Sequence, residues 1–350
     1  MPKEILVINC GSTSLKYKLF HFGNLKLIKE NNFQHIKSHQ EALKQALREI
    51  GDLTKIAAVG HRMVHGGKEF REVRLVNKAI LSRLEEYNYL APLHNPYNIS
   101  GIKACEEYLP NIPNFIVFDT SFFRDLPDQA KIYPLPYRLY EEGIQKFGFH
   151  GISHQYVAQE AAKKLKRPLE KLKLITCHLG GGSSICAIKS GKAIDTSMGF
   201  TPMEGVAMST RSGDIDPGII LYLLRNKGFD LNKVEETLNH FSGIRGISGY
   251  SNFLDLLKVI KTDERAKLAF DIFIYKIKKY IGAYFAILNG IDAIVFTGSI
   301  GMGKKITREK ICEKLDILKK VKIIVIPTDE ELMIAREVKT KYEKKLDNRL

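Results

Sequence analysis

One short pattern occurs twice in this chain, and the repetition limits what it can fold into. Near the start runs Leu6-Val7-Ile8-Asn9-Cys10-Gly11-Ser12-Thr13-Ser14-Leu15-Lys16, and near the middle runs Ile175-Thr176-Cys177-His178-Leu179-Gly180-Gly181-Gly182-Ser183-Ser184-Ile185. Each is an apolar run, a polar residue, a Gly/Ser turn and a second run, the pattern of two antiparallel strands joined tightly. Such turns present backbone N–H groups and hydroxyls to phosphate oxygens. Two of them, far apart in sequence, predict a duplicated fold that grips one polyphosphate from two sides.

The 350 residues are enough for two domains. Met1-Pro2-Lys3-Glu4 leads into a run of only four apolar residues before Asn9, too short for a signal-peptide core. The longest apolar stretch, Leu268 to Leu288, carries Asp271, Lys276, Lys278 and Lys279. It reads as a buried helix stopped at Asn289-Gly290, not as a membrane span. Five cysteines form no CxxC pair, which fits reduced thiols and a cytoplasmic location. The formal charge of +15 is spread over lysines interleaved with glutamates, without an aromatic-studded basic stripe. A nucleic-acid partner is therefore not expected, nor is a membrane. The excess charge favours an anionic substrate.

The first part reads as strands 4–9, 15–20 and 25–28, a helix 39–50, a strand 56–60, helices 78–88 and 97–108, and a strand 114–118. The second reads as a helix 153–165, strands 172–178, 184–188 and 192–195, and helices 216–226, 230–239 and 264–288. Strand 292–297, helix 306–317, strand 321–326 and helix 330–346 follow. Each part opens with antiparallel strands and continues as helix–strand alternation, so the fold class is α/β with mixed sheets flanked by helices. The domains expected are 1–124 with 332–350, and 125–331.

Chemistry concentrates at a few places. Asn9, Ser12, Ser14 and Lys16 stand on the first turn, suited to phosphate and metal, and Gly180, Gly181 and Gly182 form the second turn. In Gly60-His61-Arg62-Met63-Val64-His65-Gly66-Gly67, Arg62 reads as an anion clamp. The His61/His65 and His150/His154 pairs have zinc-like spacing but lack the Glu and the unbroken helix of HExxH. Asp119 ends an apolar strand, where α/β sheets carry chemistry. Residues 195–218 are too dense in Gly, Ser, Thr, Arg and Asp for regular structure and read as a functional loop whose only cation is Arg211. Asp216-Pro217 reads as the N-cap and first residue of the next helix. Gly298-Ser299-Ile300-Gly301-Met302-Gly303-Lys304-Lys305 nearly spells a P-loop, with Lys305 where the metal-binding hydroxyl belongs. It reads as a Gly-rich turn against a nucleoside.

Assembled in order, these residues resemble the acetate/propionate/butyrate kinase family. The matching motifs include NCGSTSLKYKL from Asn9, GHRMVHGG from Gly60, APLHNP at 91–96, FDTSFF from Phe118 and GFHGISH at 148–154. DTSMGFTPMEG from Asp195, STRSGDIDP from Ser209 and IPTDEEL from Ile326 complete the set. The resemblance implies two duplicated ribonuclease-H-like domains of the hexokinase–actin–chaperone ATPase superfamily, with an interdomain cleft. It implies reversible transfer of the γ-phosphoryl of ATP to acetate, giving acetyl phosphate and ADP, with Mg²⁺ or Mn²⁺ as cofactor and a homodimer as the assembly.

By the same resemblance Arg62, Asp119, His150 and Arg211 are catalytic. Val64, Leu93, His94, Phe149 and Pro202 join Arg62 around the acyl substrate. Ser12, Ser14, Lys16, His178, Gly180, Gly181, Gly182, Ser299, Ile300 and Gly301 meet the nucleotide and its phosphates, while Asn9 and Glu330 hold the metal. The chain departs from the family on the nucleoside side. Gly181 replaces an Asn, Ser251-Asn252-Phe253-Leu254-Asp255 lacks the Arg of SNDFRD, and Ser299–Gly303 lacks the acidic and amide residues of GIGEN. Propionate and butyrate remain alternative acceptors, and a looser or non-ATP phosphoryl donor remains an alternative. A P-loop-like or nucleic-acid-binding protein is the alternative from a different class.

Overall fold

The doubled motif forms two hairpins. In the computed structural model, which describes residues 3–92 and 94–347, β1 (Glu4–Cys10) pairs antiparallel with β2 (Ser14–His21), and Asn9 stands opposite Lys16. The remaining strands of the first sheet are β3 (Leu27–Gln34), β4 (Ile56–Met63), the short β5 (Arg74–Leu75) and β6 (Asn114–Phe118). Then β7 (Lys173–Leu179) pairs antiparallel with β8 (Ser183–Lys189), and His178 stands opposite Ser184. The second sheet is completed by β9 (Lys192–Thr196), β10 (Ala293–Thr297) and β11 (Lys322–Val325).

The chain divides into two compact units. The first is Met1–Arg124, Gly151–Ser153 and Asp329–Leu350; the second is Asp125–His150 and His154–Thr328. Their sheets share one topology. The first runs β3-β2-β1-β4-β6-β5 and the second β9-β8-β7-β10-β11. In each, three strands are antiparallel and the next two run parallel to the first strand of the hairpin. This is the duplicated ribonuclease-H-like arrangement, with β5 added at one edge.

Ile5, Leu6, Val7 and Ile8 are all essentially buried, so β1 is covered on both faces, as expected of a strand with parallel neighbours. On one face β1 and β2 pack against Leu43 and Leu47 of helix His39–Ile50 and Cys105 of helix Asn95–Tyr108. On the other lies helix Glu330–Asp347, whose Ile334 and Val338 fill the space a side chain at Gly60 would need. In the second unit the apolar stretch forms helix Glu264–Leu288. Asp263 caps it by accepting from the Ala266 N–H, and Asn289 in the left-handed region ends it. Phe270, Phe273, Ile274, Ile277, Ile281 and Tyr284 recur at helical spacing and meet β7 and β8, while Asp271 and Lys279 face solvent.

Some elements differ from expectation. Residues 298–302 are a short helix, Gly298–Met302, not a turn; Gly298, at φ 77°, starts it against the Leu179 carbonyl. Helices Gly243–Ser248 and Phe253–Val259 were not anticipated, because Gly243 and Gly246 lower propensity in the first and the second is too short to show periodicity. The third strand lies later, at 27–34, and the helix expected at 306–317 ends at Cys312. The five cysteines are free and mostly buried; burial pushes the Cys10 thiol up to about 12. Among the described residues no helix is long and apolar enough to cross a membrane.

Candidate active site

In the first unit, β1, β4 and β6 run parallel, so their C-terminal ends share one edge. Chain direction thereby puts Asn9, Arg62 and Asp119 on the side where α/β sheets bind ligands. Arg62 forks onto Asp119, with Nε donating to Oδ1 at 3.0 Å and Nη2 to Oδ2 at 2.6 Å. Its Nη1 lies 3.7 Å from Glu330 Oε2. Burial works against the charged guanidinium, but Asp119 and Glu330 outweigh it and hold Arg62 firmly protonated.

The N-terminus of helix Glu330–Asp347 supplies the acids. Burial raises the Glu330 carboxyl to about 7; Arg62 opposes this, while Asp119 and Glu331 add to it. Asn9 and Lys16 meet the neighbouring Glu331 rather than Glu330. Asn9 Nδ2 donates to Oε1 at 3.2 Å and Lys16 Nζ to Oε2 at 2.6 Å. Lys18 Nζ pairs with Asp329 at 2.9 Å. Ser12 is exposed and Ser14 half-buried at the turn, which is closed by the Gly11 N–H donating to the Ser14 carbonyl at 2.9 Å.

Helix Asn95–Tyr108 fixes both segments. The buried Asn98 donates to the Cys10 carbonyl at 2.7 Å and accepts from the Val64 N–H at 3.2 Å. Asn95 accepts from the His65 N–H at 3.1 Å. Val64 is buried, and His94 is half-buried at the start of that helix. Leu93, expected in the apolar pocket, lies outside the described residues. Among the described residues no group of three or more His, Cys, Asp or Glu has the arrangement of a metal centre. His61 instead bonds Asn114 at 2.8 Å, and burial lowers it to about 4.

In the second unit the corresponding turn gathers a different set. His150 and His178 stack with ring centroids 4.3 Å apart. His150 Nδ1 lies 2.8 Å from Ser184 Oγ. A Cβ built on Gly182 would come 3.3 Å from His150 Cε1 and 3.5 Å from Arg211 Nη1. Turn backbone, imidazole and guanidinium therefore converge at Gly182, where a side chain would press on the His150 ring. His150 holds φ 58° at the N-cap of helix Gly151–Leu165, an uncommon conformation of the kind that clusters at functional sites. Phe149 beside it is buried.

Arg211 donates through Nη1 to the Pro202 carbonyl at 3.0 Å and touches Met208 Sδ at 3.7 Å. Burial pulls its pKa down, and no carboxylate among the described residues answers it. The loop that carries it is braced. Asp214 accepts from the Gly205 N–H at 2.7 Å and from the Tyr280 hydroxyl at 2.7 Å. Asp216 caps helix Pro217–Asn226 through the Gly218 N–H, the role expected of it.

Gly181, Ser209, Ser251, Asn252, Phe253, Leu254, Ser299, Ile300, Gly303 and Lys304 line a cavity of about 290 Å³. None is a carboxylate, and Lys304 is the one cation among them. Gly301 faces β7 instead: a Cβ built on it would come 3.6 Å from the Cys177 carbonyl. Gly180 closes the turn, its N–H donating to the Gly182 carbonyl at 3.1 Å. The sequence reading passed over Glu331, Asn98, Ser184 and Asp214. Adjacency to Glu330 was a signal for the first; the others act through contacts that sequence spacing does not show.

The chain matches the model of the Acetokinase family over residues 22–319. An acetate kinase of Caldicellulosiruptor saccharolyticus is 45% identical, over 97% of this chain and 100% of its own length. The crystal structure of Porphyromonas gingivalis acetate kinase superposes with a TM-score of 0.90 at 37% identity, covering 97% of this chain and 99% of that one. A propionate kinase from Francisella tularensis subsp. tularensis SCHU S4 gives 0.88 at 37% identity, covering 96% and 98%.

Proposed function

The chain belongs to the acetokinase family, and from that premise we propose that it is an acetate kinase, transferring the γ-phosphoryl of ATP to acetate. Acetate is ionised at neutral pH and attacks phosphorus without a general base. Asp119, engaged by both donors of Arg62, has a structural and electrostatic role, not a basic one. The obstacle is repulsion between a carboxylate and a polyphosphate, and positioned cations and amides relieve it. One observation carries the assignment: a half-buried arginine with no carboxylate partner among the described residues, beside a glycine turn and an imidazole, which is an arrangement suited to a phosphoryl group.

We assign Arg62, Val64 and His94 to the acyl substrate, with Phe149 and Pro202. Ser12, Ser14, Lys16, His178 and the Gly180–Gly182 turn take the phosphates, and Arg211 and His150 take the transferring group in line. The first-unit cluster fits a divalent cation. Its carboxylates outnumber its cations, and burial drives Glu330 toward its neutral form although Arg62 opposes this. Glu330 and the Asn9 carbonyl oxygen would hold Mg²⁺, or Mn²⁺ in its place; when bound, the cation neutralises phosphate charge. With so few protein donors, phosphate oxygens and water complete its shell.

The nucleoside cavity offers hydroxyls and backbone but no carboxylate, and Asn252 is already spent capping Leu254 and Asp255. We infer a donor site tolerant of different bases. A homodimer is supported by helix Pro217–Asn226, which buries none of its residues although Ile219, Leu221 and Tyr222 are apolar and 45–52% exposed. Leu221→Asp is expected to yield a monomer by light scattering. We expect the enzyme to work in the cytoplasm. The test of the function is a hydroxylamine trap for acyl phosphate over acetate, propionate and butyrate. Trapped product greatest with acetate is the expected result; none with any acid refutes the assignment. Propionate is the second reading, on the likeness to the Francisella propionate kinase.

A further inference from the structure

The turn of the first hairpin is held at three carbonyls. Asn98 Nδ2 donates to the Cys10 carbonyl at 2.7 Å, the His39 ring bonds the Gly11 carbonyl through Nε2 at 2.7 Å, and the Ile36 N–H donates to the Thr13 carbonyl at 3.1 Å. A carbonyl oxygen only accepts, so His39 Nε2 carries the proton. His39 opens helix His39–Ile50, and its ring tilts against Tyr97 with centroids 5.7 Å apart. Tyr97 and Asn98 are neighbours on helix Asn95–Tyr108. One helix therefore braces the turn twice, directly through Asn98 and by way of the His39 ring.

Of the three bonds, the one to Gly11 controls a donor. Gly11 has no Cβ, so it leaves the peptide plane after it freer to rotate than any other residue would. The bond to His39 fixes that plane. A trans peptide points its C=O and its N–H in opposite directions. With the Gly11 carbonyl turned to His39, the Ser12 N–H is turned away from it, and Ser12 stands exposed at the tip of the hairpin. The Gly11 N–H is engaged in closing the turn on the Ser14 carbonyl at 2.9 Å. The amide that His39 orients is therefore that of Ser12.

We propose that His39 is a positioning residue for the phosphoryl donor: it sets the Gly11-Ser12 peptide so that the Ser12 N–H is presented to a phosphate oxygen of the nucleotide. The inference rests on the assignment of the first turn to the phosphates made above. An amide oriented before the ligand arrives binds it without a further ordering cost, and a turn amide so held suits an anion. The contact is made alike in the bound substrate and during transfer. Its loss therefore falls on KM for ATP and not on kcat.

Two variants test it. His39→Phe keeps a ring beside Tyr97 and removes the donor, while His39→Gln keeps an N–H at similar reach. His39 is half-buried at the edge of a cavity of about 680 Å³, which leaves room for either. With ¹³C-carbonyl glycine and ¹⁵N-serine, only Gly11-Ser12, Gly182-Ser183 and Gly298-Ser299 give paired signals, and Ser12→Ala identifies the first. The Gly11 carbonyl carbon is expected to move in His39→Phe and to return in His39→Gln. ATP is expected to shift the Ser12 amide of the wild type far more than that of His39→Phe. In acyl phosphate formation, His39→Phe is expected to raise KM for ATP about tenfold, the scale of weakening one hydrogen bond to a charged group, with kcat and KM for acetate within about twofold. His39→Gln is expected to restore KM for ATP. An unmoved Gly11 carbonyl, a Ser12 amide indifferent to ATP, or a His39→Gln as impaired as His39→Phe overturns the proposal. So does an equal rise in both KM values, because general loosening of the unit does not single out ATP. If the wild type forms no acyl phosphate from any acid, the reaction proposed above fails, and the response of Ser12 to ATP decides the role of His39 by itself.

Discussion

Arg62 and Arg211 present the same guanidinium in opposite surroundings. Arg62 is locked to Asp119 and approached by Glu330, so its charge is already answered. Arg211 is held by a carbonyl and a sulfur, and burial works against it with nothing to compensate. Near Arg62 and its partners Asp119 and Glu330, Lys16 pairs with Glu331 and Lys18 with Asp329. Around Arg211 stand His150 and bare glycine. One copy of a duplicated fold carries a carboxylate-rich cluster, to which we assign a cation, and the other an arginine that no carboxylate among the described residues answers, to which we assign an anion. Duplication supplied the hairpin in both cases; the side chains brought to it decide what each one binds.

The largest effects should come from the arginines. Arg62→Ala and Arg211→Ala are each expected to lower kcat by about 10²-fold or more, the scale of removing a preorganised donor. Their stabilities should diverge. Arg62→Ala strands the buried Asp119 carboxylate and is expected to cost about 3 kcal/mol in urea unfolding, whereas Arg211→Ala removes a charge that burial disfavours and should cost little. Near-normal turnover in either variant refutes its catalytic role, and equal stability losses erase the contrast.

Glu330 gives a pH signature. Its folded pKa of about 7 lies above the ordinary 4.5, so the folded state binds the extra proton between those values. The resulting stability is fully present below pH 4.5 and is lost as pH rises through 7. With metal chelated, Tm should therefore fall over that window in the wild type more than in Glu330→Gln. Added Mg²⁺ should recover the wild type at pH 8 and leave the variant unmoved. Parallel Tm profiles for the two proteins would count against a Glu330 whose pKa is raised by burial.

The two neighbouring glycines of the second turn separate packing from chemistry. Gly182→Ala presses on His150 and Arg211 and is expected to lower kcat about tenfold, by misplacing reacting groups. Gly181→Ala meets nothing within 4 Å and should be neutral. Similar kinetics for both would mean that the turn does not hold those side chains in place. The smallest expected effect is on donor choice: kcat/KM for ATP and GTP should differ by less than about tenfold, since no side chain in the cavity is committed to one base. A strict ATP preference would contradict this.

Much of this fold is legible along the chain because its strongest elements are locally encoded. Ile5–Ile8 and Ile294–Phe296 are continuous apolar runs, Asp263 and Asn289-Gly290 bracket a periodic helix, and Asp216-Pro217 announces another. Elements that depend on their neighbours were not legible. Helix Gly243–Ser248 contains two glycines that disfavour a helix and exists because Ile244 packs into the core. Within the site, Arg62, Asp119 and Arg211 stood out as charged residues at strand ends or in an irregular loop. Asn98 and Ser184 did not, since an Asn in a helix and a Ser in a strand are unremarkable until their partners are known.

By itself the sequence determined the hairpins, the order of strands and helices, and the supply of cations and carboxylates, because strand pairing, helix periodicity and capping act over short separations. Only the tertiary structure decided which charges neutralise one another. Asn9 and Lys16 meet Glu331 across more than three hundred residues, and Arg62 takes Asp119 from a neighbouring strand end. Arg211 is left with a carbonyl. Electrostatic energy depends on distance and burial, and neither is written in the order of the residues.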